Sequence, residues 1–402
     1  MDATDVDAVL RRFSELIGET LLTERLARLE RTERQIYRDS AYVREWFAPQ
    51  NIIWSVLRVA RAAWARGEIV SASRVPEKQK ALFERALYAA RIFTEAATTM
   101  DENRRNKLVT SLCAADEIKP VLLEYEAALF WARRGYSIKW LDDSGRNGAR
   151  IAELIARNTN IEFAVECKAA GLDAGRRIDR KSVLLLADEL AARGINKKGY
   201  LDITIELDAF PETDKERAET VSLIVNALDE GRICYEAHGI SIAGELSARS
   251  GEIVDYQAFL NTRKRNQLDR FTYSIVLSSR SDVLCDPLPV RFIAPIADRV
   301  TRNLKSAIRD AAEQLQATHA NGFVMYYLPE VSDFADPIIQ EYLANISTWL
   351  FSEGSGRNHI FACMFVSDSP ILDPVATAAV PWHVLVNPSQ SSFGALQHLG
   401  KP

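Results

Sequence analysis

Cysteine is scarce in this sequence and nowhere arranged to do chemistry. The five, Cys113, Cys167, Cys234, Cys285 and Cys363, are scattered through 402 residues without a C-x-x-C pair. That argues against a structural zinc site and a disulfide framework, and it fits a reducing, cytoplasmic setting. Histidine is equally sparse. His238, His319, His359, His383 and His398 show neither H-x-x-x-H nor H-E-x-x-H spacing, so a zinc hydrolase of that design is excluded. There is no G-x-x-x-x-G-K-[ST] loop, no G-x-S-x-G elbow and no G-x-G-x-x-G turn after a strand. The sequence therefore offers no P-loop, no α/β-hydrolase nucleophile and no dinucleotide fingerprint. No apolar run has the length to span a bilayer. The opening residues, MDATDVDAV, are acidic and unlike a signal peptide, so no membrane association is expected. A strong charge of one sign is also missing. The net charge is −5, which gives no global attraction for nucleic acid, so any such binding has to use a local basic surface.

What is present is the composition of a globular protein long enough for two or three domains. Residues 1–118 read as all-helical. Val6, Leu10, Phe13 and Ile17 have helical spacing, 51–66 (NIIWSVLRVARAAWAR) is a strong helix closed by Gly67, and 77–97 is another. The Arg-rich faces of this region (Arg25, Arg28, Arg58, Arg61) have two readings, phosphate contacts or solvated surfaces salt-bridged to the interleaved Glu residues. From 119 onward helices and strands alternate, which indicates an α/β sheet with helices on its faces. This second domain is expected to span 119–390, with an insertion around 211–300 and a loose tail over 391–402.

The stretch that carries chemistry is Ile161–Lys168, IEFAVECK. Ile161, Phe163 and Val165 alternate with Glu162, Ala164 and Glu166, the period of a strand with two unlike faces. Glu166 and Lys168 then share one face and Cys167 takes the other. The preceding run, ARIAELIAR at 149–157, contains Glu153 and also reads as a strand. Arg157-Asn158-Thr159-Asn160 is turn chemistry between the two. A hairpin would bring Glu153 and Glu166 within reach of one hard cation, which needs only one or two protein carboxylates.

These residues resemble the PD-(D/E)XK, or restriction-endonuclease-like, nucleases, whose pattern is a helix bearing Glu, a strand, a second strand with an acid, and a third ending in (D/E)-x-K. The helix is 121–134 (VLLEYEAALFWARR), closed by Gly135. The strands are 136–140 (YSIKW), ARIAELIAR and IEFAVECK, with a helix at 181–193 and a strand at 200–207 to follow. A later helix with A-x-x-Q-L at 311–315, followed by the apolar run 323–328, resembles the ending of some superfamily members. The resemblance implies a restriction-endonuclease-like mixed sheet flanked by helices, and a metal-dependent nuclease acting on nucleic acid, with DNA favoured. Glu153, Glu166 and the Cys167 backbone carbonyl would hold Mg²⁺ or Mn²⁺. Lys168 would position the attacking water, and Glu124 on the helix would complete the site. Arg146, Arg150, Arg176, Arg177, Arg180 and Lys181 would hold phosphates. A homodimer or a partner subunit fits such domains. Glu153 stands where the family usually carries Asp, and this opens an alternative in which the fold persists as a nucleic-acid-binding or scaffolding module without catalysis.

Overall fold

The computed structural model describes residues 3–39, 50–115, 117–141, 151–170, 180–195, 200–230, 234–237, 239–246, 272–277, 288–293, 300–318, 321–329, 331, 333–367, 372 and 380–390. The protein is mixed α/β with a helical N-terminal region and two mixed sheets. It divides into two compact units. The first comprises Met1–Gln35, Phe47–Leu172 and Lys305–Pro402; the second comprises Ile36–Trp46 and Asp173–Leu304. Among the described residues no helix is long and apolar enough to cross a membrane.

In the first unit, α1 (Ala3–Ile17), α2 (Glu19–Asp39), α3 (Ile52–Trp64), α4 (Glu77–Ala97) and α5 (Glu102–Ala114) precede α6 (Ile118–Ala132). Then come β1 (Ser137–Trp140), β2 (Leu154–Arg157) and β3 (Glu162–Ala169). The expected separation of 1–118 as its own domain does not hold. Aromatic rings run without a break from the helices to the sheet: Phe13 lies 6.1 Å from Trp54 and 6.0 Å from Phe93, Phe93 lies 5.9 Å from Tyr125, and Tyr125 lies 5.0 Å from Trp140. Burial of such rings is a large stabilising term, so the helical layer and the sheet share one core. The Arg-rich faces resolve largely into ion pairs. Arg58 pairs with Glu33, Arg61 pairs with Glu19, and buried Arg25 donates to Asn51 Oδ1 at 3.0 Å.

The second unit holds α7 (Arg180–Ala192), β4 (Tyr200–Leu207), α8 (Asp214–Asp229), β5 (Cys234–Ala237), β6 (Ile240–Leu246), β7 (Thr272–Leu277) and β8 (Leu288–Ile293). Its five strands lie in the order β5-β6-β4-β8-β7. Val183, Leu184, Leu186, Ala187 and Leu190 of α7 meet Ile203 and Ile205 of β4 in one buried cluster. This corrects the sequence reading of the core. The helix at 181–193 and the strand at 200–207 both form, but they belong to this second sheet, so the inserted unit is larger than 211–300.

The chain returns to the first unit through α9 (Val300–Ala317), β9 (Gly322–Tyr327), α10 (Pro337–Leu350), β10 (Ile360–Val366) and β11 (Trp382–Val386). The six-stranded sheet has the order β1-β2-β3-β9-β10-β11. β2 is antiparallel to both β1 and β3, β3, β9 and β10 run parallel, and β11 is antiparallel to β10. β9 (GFVMYY) and β10 (IFACMFV) are buried along their whole length, as central strands covered on both faces should be. The fourth core strand is therefore β9, reached through the helix with the A-x-x-Q-L run. At its start α9 and the sheet approach closely: a Cβ added at Gly322 would lie 2.3 Å from Leu315 Cδ1.

α6 covers the opposite face. Pro120 falls in its first turn, where a missing N–H costs nothing. Gly135, at φ +83°, ends it, with Tyr136 N donating to Trp131 O at 3.2 Å and Gly135 N to Ala132 O at 3.0 Å, the paired bonds of a Schellman cap. Leu123, Ala127, Phe130 and Trp131 pack on Phe163, Val165, Phe323 and Met325. Trp131 is fully buried, with Phe163 at 4.8 Å and Phe323 at 5.0 Å. Trp131→Ala is expected to cost about 3–5 kcal/mol of unfolding free energy. Urea titration checks this, and a midpoint shift worth less than about 1 kcal/mol would contradict the packing described.

Candidate active site

The hairpin expected from the sequence forms. Asn158 Oδ1 accepts from Asn160 N at 2.9 Å and Ile161 N at 2.8 Å, which closes the turn between β2 and β3. The register pairs Leu154 with Val165, so Glu153, one residue ahead of β2, comes beside Glu166. Its backbone is fixed on three sides. Glu153 N donates to Val165 O at 3.1 Å, Glu153 O accepts from Leu141 N at 3.0 Å, and Ala152 N donates to Thr318 Oγ1 at 3.1 Å. Glu153 is half-buried.

On β3 the alternation is as read. Phe163, Val165, Cys167 and Ala169 pack with α6, while Glu166 and Lys168 take the other face, where α9 lies. The Glu166 side chain is 0% exposed and its Oε1 lies 2.8 Å from Lys168 Nζ. Neither carboxylate oxygen has a well-aligned hydrogen bond among the described residues, yet Lys168 Nζ and the Glu153 backbone N–H both lie close enough to stabilise the charged form. Burial pushes the Glu166 carboxyl up to about 7; the Lys168 charge pulls it down and the Glu153 charge pushes it up. Lys168 Nζ also donates to Gln314 Oε1, and Gln314 Nε2 donates to Ile151 O at 3.3 Å. One side chain of α9 thus ties the lysine to the segment that presents Glu153.

Glu124 reaches the same neighbourhood. The Cys167 thiol, which burial pushes well up, lies within electrostatic range of Glu153, Glu124, Glu166 and Lys168. Its Sγ faces Leu123 O at 4.0 Å, the position of a packing thiol away from the Glu166 face. Glu124 Oε2 lies 3.7 Å from Arg104 Nη2. Arg104 sits over the Trp140 ring at 4.3 Å and the Tyr125 ring at 5.9 Å, with its side chain 11% exposed. Tyr125 is pushed up to about 12, first by burial, with Arg104 lowering it and Glu124 and Glu153 raising it. Glu126, two residues on, takes a different direction: it is buried and pairs with Lys119 at 3.5 Å. Glu153, Glu166, Lys168 and Gln314 are therefore brought together, while Glu124, paired with Arg104, stands on the α6 side within electrostatic range of Cys167 and Tyr125.

Arg146, Arg150, Arg176 and Arg177 lie outside the described residues. Arg180 and Lys181 are the first residues of α7 in the second unit, Arg180 half-buried and Lys181 exposed.

Gln314 had a signal in the sequence, the A-x-x-Q-L run, although its spacing does not reveal the lysine as its partner. Arg104 had none. It lies in a polar stretch of α5, and only tertiary packing carries it to Glu124.

Among the described residues no three His, Cys, Asp or Glu side chains come together in a group that could hold a metal ion. An Mg²⁺-type site requires no such group of three, because waters supply most of its ligands. A fully buried carboxylate beside a second carboxylate, with one lysine as its only side-chain donor among the described residues, suits a cation of that kind, so Glu166 and Glu153 fit it. The Cys167 carbonyl as a third donor rests on the resemblance alone.

No family model, no curated protein and no solved structure matches this chain.

If Gln314 positions Lys168, Gln314→Ala should lower turnover about tenfold at unchanged fold, in keeping with loss of a supporting contact. It should also shift the pH profile of activity, which a purely structural contact would not do. Equal profiles for variant and wild type would remove Gln314 from the site.

Proposed function

We propose that this chain is a metal-dependent nuclease of the restriction-endonuclease-like type, hydrolysing phosphodiester bonds of nucleic acid. The observation that carries the reading is the fully buried Glu166 in β3, beside Glu153 across the hairpin and in contact with Lys168 two residues on. The order of α6, β1, β2, β3, α9 and β9 around it supports the same reading. When bound, Mg²⁺ or Mn²⁺ supplies charge neutralisation at the phosphoryl oxygens and acidifies water. Glu166 and Glu153 would hold the cation. Lys168, kept extended by Gln314, places an ammonium donor where the attacking water and the developing negative charge lie. Arg104 pairs with Glu124 on the α6 side of the sheet and offsets its charge. DNA is favoured over RNA on the resemblance alone.

One observation favours a second reading, a nuclease fold retained for nucleic-acid binding. Lys168 contacts Glu166 directly, which compensates the carboxylate without a cation. The discriminating experiment offers plasmid, linear and single-stranded DNA, and RNA, with Mg²⁺ or Mn²⁺ to wild type, Lys168→Ala and Glu166→Ala. Cleavage by wild type that both variants lose supports the nuclease. Binding without cleavage, unchanged in all three, supports the module.

A further inference from the structure

We propose that the cations gathered around Trp349 form a binding site for the phosphodiester backbone of nucleic acid, and this rests on the reading that nucleic acid is the substrate. Trp349 lies near the end of α10 and is half-buried. Three cations surround its ring: Arg357 Cζ at 4.1 Å, Lys305 Nζ at 5.3 Å and Arg309 Cζ at 5.5 Å from the centroid. Among the described residues none of the three has a carboxylate in ion-pair contact. Several other arginines of the first unit take carboxylate partners, as Arg58 does with Glu33, Arg104 with Glu124 and Arg133 with Glu95. The patch is therefore a local excess of positive charge on a chain whose net charge is −5.

Its construction is specific. Arg357 Nη2 donates to Trp349 O at 2.6 Å and Nε to Leu350 O at 3.3 Å, so the last carbonyls of α10 pin the guanidinium. Lys305 and Arg309 are one turn apart on α9, so both reach the same side of that helix. Attraction to the indole offsets part of the repulsion among three like charges, and an anion between them offsets more. The same helix carries Gln314. Arg309 and Lys305 precede it by roughly 7 and 13 Å along the axis, at 1.5 Å per residue. At about 100° per residue, Lys305 and Arg309 stand on the opposite flank of the helix from Gln314. The patch would therefore hold phosphates away from the scissile bond, positioning the strand without reading its sequence.

The test measures binding of a labelled DNA duplex and the corresponding single strand to the full chain in EDTA, across a salt series. Wild type is compared with Lys305→Ala/Arg309→Ala, two substitutions on the outer part of α9, and with Arg31→Ala, which removes an exposed charge from α2. Loss of two phosphate contacts should reduce the salt slope on duplex by about 2 and weaken low-salt binding about tenfold. Arg31→Ala should leave both unchanged. A double variant with wild-type affinity, or with weaker binding at an unchanged slope, overturns the patch, as does an equal loss in Arg31→Ala. Wild type that cuts normally while the double variant binds normally leaves the nuclease standing and removes only this inference. Wild type that binds but never cuts, with the double variant weakened, keeps the patch and removes the nuclease.

Discussion

Lys168→Ala should lower phosphodiester cleavage about a thousandfold, with nucleic-acid binding kept within about threefold. Removing one preorganised donor from a developing oxyanion costs about 10²–10³ in turnover, and Lys168 stands to lose both a donor and a full charge. A thousandfold loss corresponds to about 4 kcal/mol of transition-state stabilisation. The loss should fall on kcat and on kcat/KM alike, because the contact is made in the transition state and not in the bound ground state. Lys168→Arg should be nearly as poor. The guanidinium is a planar fork, and the lysine already spans a fixed gap between Glu166 and Gln314. Circular dichroism and urea midpoints would show the variants folded, since the Lys168 head is partly exposed and its removal opens no core cavity. A Lys168→Ala protein that cuts at wild-type rate would sink the assignment of the site. A variant whose rate falls only through a higher KM would make Lys168 a binding residue.

Much of this site was legible in the sequence because local rules place it. Period-two alternation put Glu166 and Lys168 on one face and Cys167 on the other, and that rule depends on nothing remote. The turn at 157–160 fixed the hairpin, and the hairpin brought Glu153 to Glu166. The helix before Gly135 was readable because a Schellman cap is a local object. The errors lie where the chain leaves local order. The helix at 181–193 and the strand at 200–207 have the expected propensities, but propensity does not say which sheet a strand joins. β4 pairs with β6 and β8, while β3 waits for β9 more than a hundred residues later. Arg104 was invisible for a similar reason. Its helix is polar and unremarkable in sequence, and its value comes from a Trp and a Glu that only the folded chain brings to it. The Arg-rich faces of α2 and α3 had two readings, and the partners that decide between them, Glu33 and Glu19, lie 25 and 42 residues away in sequence.

On the nuclease reading, Glu166→Gln should abolish cleavage, and it should at the same time stabilise the protein at alkaline pH. In the folded chain burial pushes the Glu166 carboxyl to about 7, against 4.5 for an unstrained glutamate. Between those values the native state holds a proton that the unfolded chain has released. Stability is therefore fully present below about pH 4.5 and declines as pH rises through 7. The total is about 3 kcal/mol, at about 1.36 kcal/mol per pH unit of displacement. Glutamine is neutral at every pH and has nearly the same shape, so its unfolding free energy should not share that decline. Wild type and Glu166→Gln should match near pH 4.5 and differ by about 3 kcal/mol at pH 8, with the variant the more stable. Parallel curves across that window would mean that Glu166 is neither desolvated nor titrating there. Divalent cation gives the second half of the test. A cation held by the ionised carboxylate stabilises the native state by RT ln(1 + [L]/Kd), about 2.7 kcal/mol at a hundredfold excess over Kd. Mg²⁺ or Mn²⁺ at pH 8 should therefore recover most of the wild-type deficit and leave Glu166→Gln unmoved. If Lys168 alone compensates Glu166, added cation will change neither protein, and the direct ion pair will be the whole of the site's electrostatics. If cation restores only the wild type, then the buried carboxylate is a cost carried for metal binding, the usual exchange of stability for function at an active site.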